Sequence, residues 1–477
     1  MSMTAPLHIA GAPRAGHGSA FERRNPSDVR DVVAAGYAAS ADDVAAAVDA
    51  AASAVPGWRR TPGPGRAALL HAWGDAIAAR SEELAQLIAR EVGKPIGEAR
   101  GEVGRAVVIC RYYAGEAVRE IGEVVPAGSP ETTQFTLRDP LGPVALITPW
   151  NFPLAIPLWK AAPALAFGNT VILKPSEMAP AVAAVLAETS VAAGLPAGVF
   201  NVVQGAGETG AALVGHDGVR GISFTGSAAV GARIQAEGAR RNVRTQAEMG
   251  GKNVVIVLPD ADLDLAARLT AAGAFRFAGQ KCTATSRAVV HHEVMAPFLE
   301  RLAEATRGLP HGPVTDPGAA IGPLVSGAAL ERVQGALTSP PPVAFEHPVP
   351  AGEPWSHGHW CAPVAYRIED PAHPVARDEL FAPVLAVLEA GTLDEAIGLA
   401  NDTRYGLSAS LFTRDLAAAF RYVREIEVGL VRVNGDTTGV DPHAPFGGLK
   451  GSSSGSREQG RAAREFYTDI RTIQIHA

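Results

Sequence analysis

From residue 140 onward, short apolar runs rich in β-branched residues alternate with helical patterns, and no other feature of the sequence restricts the fold as much. The runs fall at 144–148, 170–174, 200–204, 221–224 and 253–258, with helical patterns at 179–193, 209–214 and 230–240 between them. Apolar strands alternating with helices form a parallel sheet covered on both faces, so the expected class is α/β. The same style resumes after residue 260, with a strand expected over 288–292 and a helix over 295–308. Ahead of it, Ser40 and Asp43 open an amphipathic run, and 66–92 and 96–120 carry similar ones, so the first third reads as mostly helical. The Pro-rich stretch 339–363 reads as a surface excursion, and 472–476 alternates like an edge strand.

A chain of 477 residues exceeds one ordinary domain, so two or three packed units are expected. A net charge of −7 speaks against nucleic acid as a partner, because phosphate binding needs a basic face. The apolar stretch from Leu154 to Leu173 is broken by Pro157, Lys160, Pro163, Gly168 and Asn169, so no membrane span is expected. The N-terminus shows no secretory pattern, and 3 cysteines cannot make a disulfide framework. A reducing cytoplasm is the expected setting, and no metal site is expected.

Several residues carry candidate chemistry. Cys282 lies in Gly279-Gln280-Lys281-Cys282-Thr283-Ala284, among small and polar residues just before a β-run. That places it on a loop, either as an accessible nucleophile or as a buried structural thiol. Cys110, in an apolar helical run, reads as core. Asn151, in Thr148-Pro149-Trp150-Asn151-Phe152-Pro153, follows a strand directly and is held between prolines. Its amide either donates to a developing oxyanion or merely caps a turn. Two glycine turns compete as phosphate cradles. Gly205-Ala206-Gly207-Glu208-Thr209-Gly210 has the dinucleotide spacing but lacks an acidic residue about twenty positions on. Phe224-Thr225-Gly226-Ser227, leading through Val230 to Gly231, joins a strand to a helix and is the preferred site. Glu248, before Gly250 and Gly251, is either a general base on a mobile loop or a solvated turn residue.

Taken in order, TPWNFP, KPSE, FTGS, EMGGK, GQKC, ELFAPV and PFGGLK make the chain resemble the aldehyde dehydrogenase superfamily from about Asn25 to Thr472. The resemblance implies a Rossmann-like NAD-binding domain, a catalytic α/β domain and a small oligomerisation element. It also implies oxidation of an aldehyde to an acid through a thiohemiacetal and a thioester on Cys282. By the same resemblance Cys282 is the nucleophile, Asn151 and the Cys282 N–H form the oxyanion hole, and Glu248 activates water. Lys160 and Glu458 match a proton-relay pair. Lys174 and Glu177 match the holders of the adenosine ribose, Ser227 a pyrophosphate contact, and Glu379 and Phe381 the nicotinamide contacts. Thr148, Trp150, Gly207, Phe224, Gly226 and Val230 are expected around the cofactor. Glu248 argues for a free acid product, since relatives that pass the acyl group to coenzyme A generally lack that carboxylate. Glu177 favours NAD over NADP by repelling a 2′-phosphate. One departure stands out: the family's Phe-Gly-Pro is Phe381-Ala382-Pro383 here, which puts a β-carbon near the expected cofactor.

The segments around Cys282 and from Ser452 to Gly460 look most like the 2,5-dioxopentanoate (α-ketoglutaric semialdehyde) dehydrogenase branch. Arg276 matches an arginine that grips a substrate carboxylate, and Ser453 and Ser454 offer hydroxyls to the same group. Trp159 stands where succinic semialdehyde enzymes carry a second arginine. The expected units are 1–120 with 141–252 for the cofactor, 253–440 for catalysis, and 121–140 with 453–477 for a homodimer or homotetramer. Two other functions remain open on the sequence. One is a general aldehyde dehydrogenase for aliphatic or aromatic aldehydes. The other is a non-catalytic binding or structural protein of the same fold.

Overall fold

The computed structural model describes residues 2–476, and two large, mostly parallel sheets organise it. The centre of the first runs, in spatial order, Arg244–Glu248, Gly221–Thr225, Pro143–Ile147, Thr170–Lys174 and Phe200–Val202, all parallel. Ser453–Ser454 closes one edge, and at the other Leu7–Ile9 joins Phe200–Val202 and is itself flanked by Ala12–Arg14, all antiparallel. From Pro143–Ile147 the chain winds outward to Phe200–Val202, then returns to lay Gly221–Thr225 on the other side of that first strand. Strand order therefore reverses beside Pro143–Ile147, and a crevice opens there at the strands' carboxyl ends.

The second sheet has 7 strands, and Thr285–His291 lies between Val384–Ala390 and Asn253–Val257. Its pairings are parallel except that of Val343–Glu346 with Val364–Ile368. Only residues 249–252 separate Glu248, the last residue of a strand in the first sheet, from Asn253, the first of a strand in the second. The carboxyl edge of one sheet must therefore abut the amino edge of the other, and the site forms along that seam.

Helices cover the sheets as the pattern predicts. Ser40 caps Ala41–Arg60 with a reciprocal bond to Asp43. Every residue of Ala155–Ala166 is buried, which suits a helix apolar on all sides. Cys110 is fully buried in Ile96–Glu116, which packs on that helix. Among the described residues no helix is long and apolar enough to cross a membrane.

Three features differ from the expectations. The N-terminal region holds the strands Ala20–Asn25 and Asp28–Tyr37, whose mixed composition gives no clean alternation. Arg244–Glu248 is a strand although it reads Arg-Thr-Gln-Ala-Glu, because its buried polar groups serve the site rather than a core. Of the tail, only Thr468–His476 joins the small antiparallel sheet with Thr132–Pro140 and Val124–Val125, while Ser453–Ser454 belongs to the first sheet. Met1 and Ala477, the outermost residues of the expected units, lie outside the described residues.

Candidate active site

Three adjacent strands of the first sheet end at the seam, and each delivers one candidate group. Pro143–Ile147 leads into Thr148 to Asn151, Gly221–Thr225 into Gly226 and Ser227, and Arg244–Glu248 ends on Glu248 itself. Glu248 therefore sits on a rigid strand end and is buried, not on a mobile loop. Cys282 comes from the second sheet, on the loop before Thr285–His291. Asn253 fixes that loop by donating from Nδ2 to the carbonyls of Cys282 and Ala284, each at 2.8 Å. Gln280 ties it from the other side, donating to the Pro323 carbonyl at 3.0 Å and accepting from the Val325 N–H at 2.9 Å. Phe277 and Ala278, just upstream, both adopt left-handed φ near +50° (52° and 51°), a conformation that this anchoring must hold.

Cys282, Asn151, Glu248, Trp159, Phe381 and Glu379 line one cavity of about 440 Å³. Asn151 donates from Nδ2 to the Gln280 carbonyl at 3.1 Å, which leaves one amide hydrogen for a ligand. Burial pushes the Cys282 thiol up to about 12, and the negative charges of Glu379 and Glu248 add to that effect. The residue itself is partly exposed, and this shift favours its thiol form over the thiolate. Burial, and then the nearby Glu458 carboxylate, raise Glu248 well above the usual carboxylate range. Ser453 donates to one Glu248 oxygen, and the other has no partner. Behind it Lys160 ion-pairs with Glu458 and donates to Ser223 at 2.8 Å, while the Trp159 indole N–H donates to Glu458 at 2.8 Å.

The cavity continues over the crevice. Ser227 is the N-cap of Ala228–Arg240, and its hydroxyl accepts from the Val230 N–H at 3.4 Å. Gly226 rests on the Phe224 ring, where an added Cβ would stand 2.5 Å away. The Thr148 and Thr225 hydroxyls, at the ends of the two strands flanking the reversal, are buried without partners. Lys174 donates to the Gly205 carbonyl at 2.7 Å, with the exposed Glu177 carboxylate 3.7 Å away. Glu379 accepts from the Gly251 N–H at 2.9 Å. An added Cβ at Gly250 would stand 1.8 Å from its other oxygen, so this carboxylate lies directly against the backbone. Phe381 packs edge-on against Trp150, centroids 5.6 Å apart. These groups fit a dinucleotide laid from Lys174 to Glu379, with Ser227 between.

Several expectations are corrected. Arg276 is exposed and lines a separate surface groove with Asp264 and Arg301, not the Cys282 cavity, because the chain turns between Arg276 and Gly279. Ser453 serves Glu248, and Ser454 bonds Gln235, so neither hydroxyl is held ready for a substrate carboxylate. Gly207 opens the helix Gly207–Gly215 beside Lys174, which bonds the Gly205 carbonyl, and so lies at the far end of the crevice from Cys282. Ala382 is buried with its carbonyl toward Gly279 and does not line the Cys282 cavity. Sequence reasoning passed over Arg332 and Arg404, which also line the cavity. It also missed Arg105 and Gln459, on a second cavity that touches Cys282. No local motif marks any of these four, since their positions depend on how distant segments meet.

Comparison with known proteins gives the chain's family. The family model described as the aldehyde dehydrogenase family matches residues 14–473. The chain is 41% identical over 464 residues to an alpha-ketoglutaric semialdehyde dehydrogenase of Bacillus subtilis, covering 96% of this chain and 95% of that one. It is 43% identical over 462 residues to an alpha-ketoglutarate semialdehyde dehydrogenase of Haloferax volcanii, with the same coverage of 96% and 95%. The crystal structure of an NAD-dependent aldehyde dehydrogenase from Sinorhizobium meliloti superposes with a TM-score of 0.95 at 36% identity, covering 100% of this chain and 95% of that one. With that match spanning nearly its whole length, the chain belongs to the aldehyde dehydrogenase family.

Proposed function

We propose that the protein oxidises an aldehyde bearing a distal carboxylate, with 2,5-dioxopentanoate as the reference substrate, to the carboxylic acid, using NAD+ in preference to NADP+. The observation that carries the reaction type is the meeting of Cys282, Asn151 and Glu248 on one cavity wall. The substrate class is supported by the likeness to the two semialdehyde dehydrogenases.

Lys174 and Glu177 would hold the adenosine ribose, Ser227 and the helix it caps the pyrophosphate, and Glu379 with Phe381 the nicotinamide end. Bound there, the oxidised nicotinamide supplies a positive charge and a hydride acceptor. Cys282 gives up its thiol proton to water and attacks the aldehyde carbon as the thiolate, forming the thiohemiacetal as its oxyanion. The free amide hydrogen of Asn151, with the Cys282 N–H, stabilises the oxyanion. Loss of hydride leaves a thioester on Cys282. Glu248 then takes a proton from water, the hydroxide attacks the thioester, and the acid leaves as the thiol is restored. Glu458 and Lys160, buried beside Glu248, would carry that proton away.

In this reading the first sheet with its helices (1–120 and 141–252) is the cofactor unit and 253–440 the catalytic one. The small sheet of 121–140 and the tail would pair copies of the chain into a dimer or tetramer. The 3 cysteines are all free, which suits a reducing cytoplasm.

The test is NADH formation by the purified protein over aldehydes with and without a distal carboxylate, with NADP+ in parallel. Preference for 2,5-dioxopentanoate with NAD+ is expected. Preference for uncharged aldehydes would retain the mechanism and remove the substrate class, and no turnover with any aldehyde would remove both.

A further inference from the structure

Cys282 also lines a second cavity, of about 300 Å³, most of whose other walls differ from those of the cavity that takes the cofactor residues. Trp159 and Phe446 line both cavities, their rings 5.4 Å apart, so they form the partition at the sulfur. The second cavity carries charge, and nearly all of it is matched. Lys281 pairs with Glu98 at 2.8 Å. Glu102 pairs with Lys94 and also accepts from the Leu154 and Ala155 N–H groups. Arg105 is the exception. Among the described residues no carboxylate lies within ion-pair distance of it.

Its guanidinium is nevertheless partly buried. Nη2 donates to the Val440 carbonyl and, at 3.2 Å, to the Gln459 side-chain oxygen. Among the described residues Nη1 has no acceptor, and Nε is buried without one. The amide nitrogen of Gln459, which lines the same cavity, is also buried with no partner. Two neighbouring side chains thus hold unused donors, one of them charged, beside the nucleophile. A buried cation with spare N–H groups is costly unless an anion meets it, and a carboxylate matches the flat donor edge of a guanidinium.

We propose that Arg105, with the Gln459 amide beside it, binds the distal carboxylate of the aldehyde while the carbonyl carbon sits at Cys282. This deepens the semialdehyde reading and rests on it. It also moves the carboxylate contact from Arg276, on an outer groove, to a residue that shares a cavity with the nucleophile. The alternative is that Arg105 only ties the Val440 segment in place, which its Nη2 bonds do without help from Nη1 or Nε.

The experiment compares kcat/KM for 5-oxopentanoate with that for pentanal, in the wild type and in Arg105→Met, Arg105→Lys and Gln459→Glu. In the wild type the acid is expected to be preferred. Arg105→Met is expected to lower the acid-to-neutral ratio about 10- to 100-fold, through KM for the acid more than through kcat. Arg105→Lys, which keeps the charge and loses the fork, should fall between. Gln459→Glu, which places a carboxylate against the guanidinium, should lower the ratio as well and carries the test if Arg105→Met does not fold. A wild-type ratio retained in the Arg105 variants and in Gln459→Glu overturns the assignment. A wild type that prefers pentanal overturns instead the semialdehyde reading beneath it.

Discussion

At the scale of single residues, the state of Glu248 decides when the second half of the reaction can run. Its carboxyl is raised by burial and by Glu458, and a general base works only when deprotonated, so the hydrolytic step should rise with pH through that raised value. The bond from Ser453 stabilises the charged form and lowers the value. Removing it in Ser453→Ala should therefore shift the alkaline-rising limb of thioester hydrolysis to higher pH, while the burst of NADH from the first turnover is unaffected. Stopped-flow measurement of burst and steady state across pH checks this, and an unshifted limb would separate Ser453 from the base. No reading of the sequence alone pairs these two residues. Ser453 lies 205 positions from Glu248, and only the antiparallel pairing of Ser453–Ser454 with Arg244–Glu248 puts its hydroxyl on that carboxylate.

At the scale of elements, Glu102 links two helices to the oxyanion group. It lies on Ile96–Glu116 and accepts from the Leu154 and Ala155 N–H groups at 2.9 and 3.1 Å, satisfying orphan donors at the start of Ala155–Ala166. Asn151 stands just ahead of that helix. Glu102 also neutralises Lys94, which is fully buried over the Phe152 ring at 3.8 Å. Glu102→Ala would strand that ammonium and two N–H groups, a change expected to cost about 3–5 kcal/mol. A lowered melting temperature and a reduced kcat should appear together, the latter because Asn151 loses its support. A variant with wild-type melting and kcat would remove this link. The main elements were legible from sequence where apolar period decides the outcome: the strands at Thr170–Lys174 and Asn253–Val257 and the helix Ala228–Arg240 lie within a few residues of expectation. Arg244–Glu248 was not, because its side chains are chosen for chemistry and so carry no apolar signal. The candidate nucleophile and base were visible through their motifs. The ion-pair lattice around them was not, since Lys94, Glu102 and Lys281 carry no pattern until the helices pack.

At the scale of the whole molecule, the small sheet presents Thr468–His476 as a free edge, with Ile470 and Ile475 exposed at 59% and 54%. An open edge with apolar residues calls for a partner strand or surface. The double variant Ile470→Asp with Ile475→Asp should therefore reduce the assembly mass measured by light scattering, and an unchanged mass would place the interface elsewhere. The partition formed by Trp159 and Phe446 has a further consequence, for the order of events. A sulfur served by two mouths can hold its acyl group from one side while the other side empties and refills. Spent dinucleotide would not have to wait for the acid to depart, nor the acid for the dinucleotide, and a blocker lodged by Arg105 would leave dinucleotide exchange untouched.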